Sequence, residues 1–159
     1  AVLPLAVIVQ EVQQQVVSLV ILCGIVFLTG EPITWHWLGL IPVMLLQTMF
    51  NAGLCMMVAR WTAASQDVTQ LIPFVMTTWR YVSGVFYSIA VFTADSPEWV
   101  RTLLYANPAT VYIELVRVSL MTSHSAPGFL WWYAAAWGVG TLLVGFVVFY
   151  RAEESYARG

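Results

Sequence analysis

Residues 71–92 read LIPFVMTTWRYVSGVFYSIAVF, an apolar stretch with an arginine near its middle. The stretch is long enough to cross a bilayer, because a crossing helix needs about 20 apolar residues. Arg80 is expensive there, since an unshielded cation at that depth costs roughly 2.5–3.5 kcal/mol on insertion scales. At helical spacing the polar side chains share one face: Thr77, Arg80, Ser83, Gly84, Tyr87 and Ser88. This polar stripe predicts a hydrated pathway or a partner beside the helix.

A pair of short amphipathic helices is predicted next, within residues 97–121. Asn107 divides the pair, because Asn caps helices well and Pro108 after it suits a first helical position. Ser96 and Pro97 repeat this arrangement at the start. Neither piece is long enough to span, and irregular backbone at membrane depth persists only where protein or a water-filled cavity covers it. We expect a re-entrant or interfacial helix pair that caps such a cavity.

Composition places the whole chain in a membrane. Of its 159 residues, 60% are hydrophobic and 9% charged, against the roughly 25% charged of soluble domains. The net charge of −2 comes without a basic patch, so we expect no nucleic-acid partner. The predicted fold is an all-α polytopic bundle forming a single transmembrane domain over residues 1–159. Four spans are predicted, with the helix pair between the third and the fourth: residues 3–28, 38–58, 71–92 and 129–150.

The first span contains a polar cluster around Glu11, with Gln14, Gln15 and Ser18 on the same helical face. One interpretation is a cavity lining with a relay carboxylate. The other is contact between helices, or a helix start near the cytosolic boundary, because polar groups are tolerated inside a bundle.

Isolated polar residues give no sign of a metal site. Cys23 and Cys55 lie within apolar spans, which favours buried thiols without ligand partners. His36 lies among tryptophans at a membrane border, and no second ligand is near it. His124 lies in a short Ser-His-Ser turn and is predicted to be solvated.

Nucleotide and hydrolytic chemistry have no visible site in the sequence. The chain contains no lysine, and a Walker A loop requires one. Hydrolase motifs are missing as well. Glu114 and Arg117 are three residues apart on a predicted helix and are expected to pair with each other. We therefore expect a chain that is not an enzyme and has no cofactor of its own.

The arginines suggest an orientation. Both ends of a four-span chain lie on one side, and the positive-inside rule places the richer side in the cytoplasm. Arg60 ends the second span, so the polar loop predicted at residues 61–69 is expected on that side, and the helix pair faces outward. The arginines divide as Arg60, Arg151 and Arg158 inside against Arg101 and Arg117 outside. The chain opens directly into an apolar run, which favours a piece of a longer protein.

Three motifs occur in order along the chain: Gln66-Asp67-Val68, Gly84-Val85-Phe86-Tyr87, and Trp99 followed by Asn107-Pro108, Tyr112 and Arg117. Together they resemble the membrane subunit of type-2 ABC exporters, especially permeases for O-antigen, galactan or teichoic-acid-type polysaccharides. The resemblance covers essentially the whole chain, as the last four of that family's six spans, and it implies that an upstream amphipathic helix and two spans are missing. The sequence departs from the family at Gln66, where an arginine is usual, and at Ser83-Gly84, where a proline is usual.

The resemblance implies a function and partners. It implies a multi-pass permease of the cytoplasmic (inner) membrane that works as a homodimer and exports lipid-linked glycan. ATP would be bound by a separate ATPase subunit, which the loop with Gln66 and Asp67 would contact. Arg80, Ser83, Tyr87 and Thr77 would line the substrate pathway. The exit gate would be formed by the helix pair with Trp99, Tyr105, Asn107, Pro108, Tyr112, Glu114 and Arg117.

Aromatic residues fit such a cargo, because sugar C–H surfaces pack on flat rings. Six aromatics surround the third span and the helix pair: Trp79, Tyr81, Tyr87, Trp99, Tyr105 and Tyr112. The alternative is that they are ordinary interfacial anchors. Tyr87 shares the Arg80 stripe and is the favoured lining residue, while Trp79 and Tyr81 point elsewhere.

Three other functions stay open on the sequence. The chain is also compatible with an ABC-2 exporter of a drug or lipid. It is compatible with an integral membrane enzyme that modifies glycans through Glu11 or Glu114. A purely structural membrane partner would instead pair Arg80 with an acidic residue of another chain.

Overall fold

The computed structural model describes residues 2–83 and 97–157, and those residues are helical apart from short connections. Three stretches are long and apolar enough to cross a membrane: Ile8–Leu28, Trp35–Ala63 and Leu130–Arg151. The chain is therefore a membrane protein with several apolar helices. The helices are α1 (Val2–Leu28), α2 (Leu40–Ala64), α3 (Gln66–Val82), α4 (Glu98–Ala106), α5 (Pro108–Leu120) and α6 (Leu130–Ala157), with a 3₁₀ helix at Trp35–Gly39 before α2.

Three of the predicted spans, 3–28, 38–58 and 129–150, coincide with helices long and apolar enough to cross a membrane, with shifted ends. The third predicted span runs beyond Val82, outside the described residues, so the count of four spans stays a prediction. The helix pair at 97–121 is present as α4 and α5, which we call the outer helix pair. Pro97 is the residue before α4 rather than its first helical residue, and α6 continues past residue 150 to Ala157.

The loop predicted at residues 61–69 is wrong. Helix α2 continues to Ala64 and α3 begins at Gln66, so a single extended residue, Ser65, joins them. The stretch contains neither glycine nor proline, and helix formers such as Ala and Gln lie on both sides of Ser65. Gln66 and Asp67 therefore belong to the first turn of α3, not to a loop.

Helices α2 and α6 form the most extensive contact in the described bundle. Their backbones meet at glycines: a Cβ atom on Gly53 would overlap the Thr141 carbonyl, and one on Gly145 would overlap Gly53. A Cβ on Gly138 would lie 2.8 Å from the Leu46 carbonyl oxygen. Small residues let membrane helices approach closely, and Gly138 and Gly145 lie where α2 and α6 meet. Gly140 faces open space instead.

The core lies where the outer helix pair packs on α2 and α6. Its buried members are Val43, Phe50, Tyr105, Val111, Tyr112, Leu115, Leu130 and Ala134. A smaller cluster of Val26, Leu40 and Leu120 joins the end of α1 to α5. Many apolar side chains of α1, α3 and α6 remain exposed, as expected for surfaces that face lipid.

The two ends of the bundle differ in their connections. At one end Ser65 joins α2 to α3, and we call this the Ser65 end. At the other, which we call the Glu31 end, α1 ends at Leu28 and a turn follows at Gly30, whose φ of 86° is a conformation that glycine adopts without strain. The connection from α5 to α6 also lies there, because Thr122 Oγ1 donates to Glu31 Oε2 at 2.9 Å.

Candidate functional site: a cleft along the bundle

Two cavities lie along one side of the bundle, one above the other. The larger has a volume of about 510 Å³ and extends toward the Glu31 end, between α1, α2 and α5. The smaller, of about 450 Å³, extends toward the Ser65 end and is also bounded by α3. They share four lining residues, Phe50, Asn51, Ala109 and Ile113. The two cavities therefore form one cleft that follows the bundle axis.

The cleft is mainly apolar, with a few polar groups at defined places. Glu11 from α1 and Arg80 from α3 line the smaller cavity, so opposite charges lie on facing helices. Gln47 and Arg117 line the larger cavity, and Asn51 lines both. An apolar cavity with a few placed polar groups is typical of a ligand site. An ionisable side chain within a membrane span is by default a sign of function.

Helix α1 is also attached to α2 through polar groups. The Thr48 hydroxyl donates to the Met44 carbonyl at 2.8 Å and lies 3.1 Å from the side-chain amide of Gln15. Its one proton serves Met44, so the amide completes the contact when its NH₂ group is turned toward Thr48. That orientation gives the buried amide nitrogen of Gln15 a partner. The polar cluster of α1 thus divides: Gln15 holds helices together, and Glu11 lines the cleft.

The end of α3 is tied to the start of α5 by a set of hydrogen bonds centred on Asn107. Trp79 Nε1 donates to Asn107 Oδ1 at 2.8 Å, and Asn107 Nδ2 donates to Ser83 Oγ at 3.4 Å. Thr110 Oγ1 donates to the Ser83 carbonyl at 3.2 Å. Asn107 also caps α5, accepting from the Ala109 N–H at 3.1 Å, as predicted. We call Trp79, Ser83, Asn107 and Thr110 the α3–α5 joint.

Glu114 is a buried carboxylate with both oxygens occupied. Its side chain is 3% exposed; Oε1 lies 2.8 Å from Arg117 Nη1, and Oε2 lies 2.6 Å from His124 Nε2. The predicted pairing of Glu114 with Arg117 is confirmed. The prediction that His124 is solvated is wrong, because the turn that carries it folds back onto α5. A carboxylate this enclosed requires such partners.

Aromatic side chains pack around Phe50 at the centre of the cleft. Trp79 and Trp137 each meet its ring edge-on, with centroids 6.3 and 6.4 Å away, and the Tyr112 ring lies at 5.7 Å. The Tyr112 hydroxyl donates to the Ala134 carbonyl at 2.9 Å. Burial raises the pKa of Tyr112 to about 12, so this phenol remains a donor at neutral pH.

The predicted pathway residues have different positions. Arg80 and Ser83 line the smaller cavity. Thr77 is exposed, lines neither cavity, and donates to the Pro73 carbonyl at 2.7 Å. Tyr87 lies outside the described residues. Trp79 was expected to point elsewhere, but it lines the smaller cavity, and that expectation is wrong.

The aromatic residues of the outer helix pair also separate. Trp99 is exposed, whereas Tyr105 is buried in the core against Phe129. The Tyr105 ring packs against protein in this structure, and its place in the exit gate stays a prediction. Tyr112 is buried but borders the larger cavity. Pro108 is buried at the start of α5, where the sequence predicted it.

The family model for ABC-2 type transporters matches residues 5–121. The chain belongs to the ABC-2 type transporter family. This match confirms the resemblance seen in the motifs. At family level it also confirms the expectation of a transport subunit rather than an enzyme. The ABC-2 match includes every helix that lines the cleft.

One curated relative of this ABC-2 chain is the O-antigen export system permease protein RfbA of Myxococcus xanthus. The two are 29% identical over 126 residues, which cover 79% of this chain and 44% of the relative. The ABC-2 chain thus spans less than half the length of that protein. No solved structure matches it.

Sequence reasoning did not select Phe50, Gln47 and Asn51 as site residues, although all three line the cleft of this ABC-2 chain. The sequence feature that could have indicated them is the pair of side-chain amides at Gln47 and Asn51, which lie one helical turn apart in an apolar span. Which residues of α1 and α5 would face them depends on packing between helices distant in sequence.

Proposed function

We propose that this chain is the membrane-spanning part of an ABC exporter permease that translocates lipid-linked polysaccharide outward across the cytoplasmic membrane. A separate ATPase subunit supplies the energy, and two permeases form the working unit. The Ser65 end faces the cytoplasm and the ATPase, with Gln66 and Asp67 in the first turn of α3. The Glu31 end and the outer helix pair face outward.

Membership of the ABC-2 family supports a transporter, and proteins of this family generally work with an ATPase subunit. The relative named as an O-antigen export permease supports a polysaccharide cargo. These 159 residues contain no lysine, so they cannot include a Walker A loop.

The observation that carries the proposal is the cleft with Arg80 on its wall. A guanidinium within an apolar segment needs water or a counter-charge, and the cleft supplies space for either. The remaining lining offers apolar and aromatic surface with a few amides. Such a surface offers few hydrogen-bonding groups that would hold one sugar tightly.

The test is surface display of glycan in cells that lack the complete permease. We expect such cells to lose surface polysaccharide and to accumulate lipid-linked polymer on the cytoplasmic side. Wild-type permease should restore display only together with an ATPase that retains its Walker lysine. Normal display without the permease would contradict the proposal. Accumulation of a drug or lipid instead of polymer would show that the cargo is that compound and not a polysaccharide.

A further inference from the structure

We propose that Asn107 is a positioning residue that couples α3 to the outer helix pair, so that α4 and α5 move when the ATPase displaces α3. This inference rests on the proposed function, because it needs an ATPase acting at the Ser65 end. Asn107 touches no cargo in this scheme. Its side chain transmits position from one helix to the next.

Helix α3 has the dimensions of a lever. Gln66–Val82 is about 25 Å long at the usual rise per residue. Its first turn carries Asp67, and only Ser65 separates it from α2, so no flexible loop absorbs a displacement there. Leu71, Phe74 and Val75 are exposed along its length. Lateral movement of α3 would therefore disturb little packing along these residues.

The joint at the far end of α3 is both polar and enclosed. Ser83 is 2% exposed and Thr110 is fully buried, so separating the two helices would leave buried donors and acceptors unpaired. Each such loss is costly, because a buried polar group without a partner keeps its full desolvation penalty. The Trp79 ring also packs against Phe50 of the core. Because the joint is costly to break, displacement of α3 is passed to α5 rather than lost between them.

Asn107 is the side chain that makes this connection while also starting α5. Its Oδ1 accepts from Trp79 Nε1 on α3 and from the Ala109 N–H on α5. It lies between α4 and α5, separated from each by no further residue. A shift of Trp79 therefore acts at the hinge of the outer helix pair.

The experiment uses the complete permease with its ATPase in proteoliposomes. All cysteines of the complete permease, Cys23 and Cys55 among them, are first replaced by alanine, and the exposed Leu103 of α4 is then replaced by cysteine as a probe. Its rate of modification by a membrane-impermeant thiol reagent is measured with and without ATP, beside the rate of ATP hydrolysis. Glycan is not required, so the readout is independent of the cargo.

Trp79→Phe removes the indole donor and keeps an aromatic ring. We expect ATP hydrolysis within about twofold of wild type, while the ATP-dependent change in Leu103→Cys labelling falls about fivefold or more. Thr110→Val deletes the hydrogen bond from Thr110 to the Ser83 carbonyl with little change in side-chain shape. This variant should also reduce the ATP-dependent change in labelling. Asn107→Asp should retain it, because the carboxylate still accepts from Trp79 and from the α5 cap.

The matched control is Trp132→Phe, the same substitution at an exposed tryptophan of α6, which should leave the labelling response unchanged. If Trp79→Phe and Thr110→Val both show the same ATP-dependent labelling as the control, the α3–α5 joint does not couple α3 to the outer helix pair. If wild type itself shows no ATP-dependent labelling, the ATPase-driven mechanism fails, and the coupling role fails with it. A normal labelling response without polysaccharide export would leave the joint supported and the cargo proposal contradicted.

Discussion

At the scale of single residues, the charges of this chain are placed according to what surrounds them. Glu114 is enclosed and engages Arg117 and His124. Arg80 and Glu11 are exposed to the cleft. A buried carboxylate without partners would be unstable, whereas charges beside a wet cavity keep their hydration. Burial thus distinguishes Glu114, which has a structural role, from Arg80, which we propose faces the pathway, and from Glu11, which lines the same cavity.

Removing one partner of Glu114 tests its structural role. His124→Ala leaves Oε2 buried without that donor, and we expect a loss of about 1–3 kcal/mol in unfolding free energy. Thermal unfolding of the purified permease in detergent measures the effect. Ser125→Ala changes an exposed neighbour in the same turn and should be neutral. Equal stability of the two variants would refute the structural role of His124.

The sequence predicted the Glu114–Arg117 pair because residues three apart on a helix are neighbours. It did not predict His124, because that contact depends on how the turn after α5 folds back. The Asn107 cap was predicted from local chemistry, whereas its bond to Trp79 joins residues 28 apart. Local rules thus found half of each cluster, and tertiary packing supplied the other half.

At the scale of helices, the contact between α2 and α6 depends on glycines, which have no side chain to keep the two backbones apart. Gly53 and Gly145 meet backbone to backbone, and hydrocarbon provides little hydrophobic force between membrane helices. Close van der Waals contact must then hold them together. The sequence places three glycines on α6, and the structure shows that Gly138 and Gly145 meet α2 whereas Gly140 points away from it.

A glycine-to-alanine pair on α6 measures the contact. Gly145→Ala forces the helices apart, and we expect a cost of about 1–3 kcal/mol. Gly140→Ala should be neutral or stabilising by up to about 1 kcal/mol, because its space is open and alanine favours helix. Chemical or thermal unfolding in detergent compares them. A Gly140→Ala variant less stable than Gly145→Ala would contradict the packing described.

At the scale of the whole molecule, the cleft extends from near Glu11 and Arg80 to Leu120 and Met121 beside the turn that carries His124. Hydropathy predicted the membrane bundle, and the arginine in residues 71–92 predicted a polar face. The cleft itself was beyond sequence reasoning, because it forms between helices whose order in space is set by packing. Tyr87, the favoured lining residue, lies outside the described residues and stays a prediction.

The central claim is that Arg80 faces the route of the exported glycan. The most direct measurement is the amount of polysaccharide on the surface of cells carrying the complete permease with Arg80→Leu, at matched expression. We predict a loss of at least about tenfold with Arg80→Leu, partial retention with Arg80→Lys, and normal display with Arg151→Leu, which removes an exposed arginine at the end of α6. Wild-type display in the Arg80→Leu variant would remove Arg80 from the pathway and contradict the account.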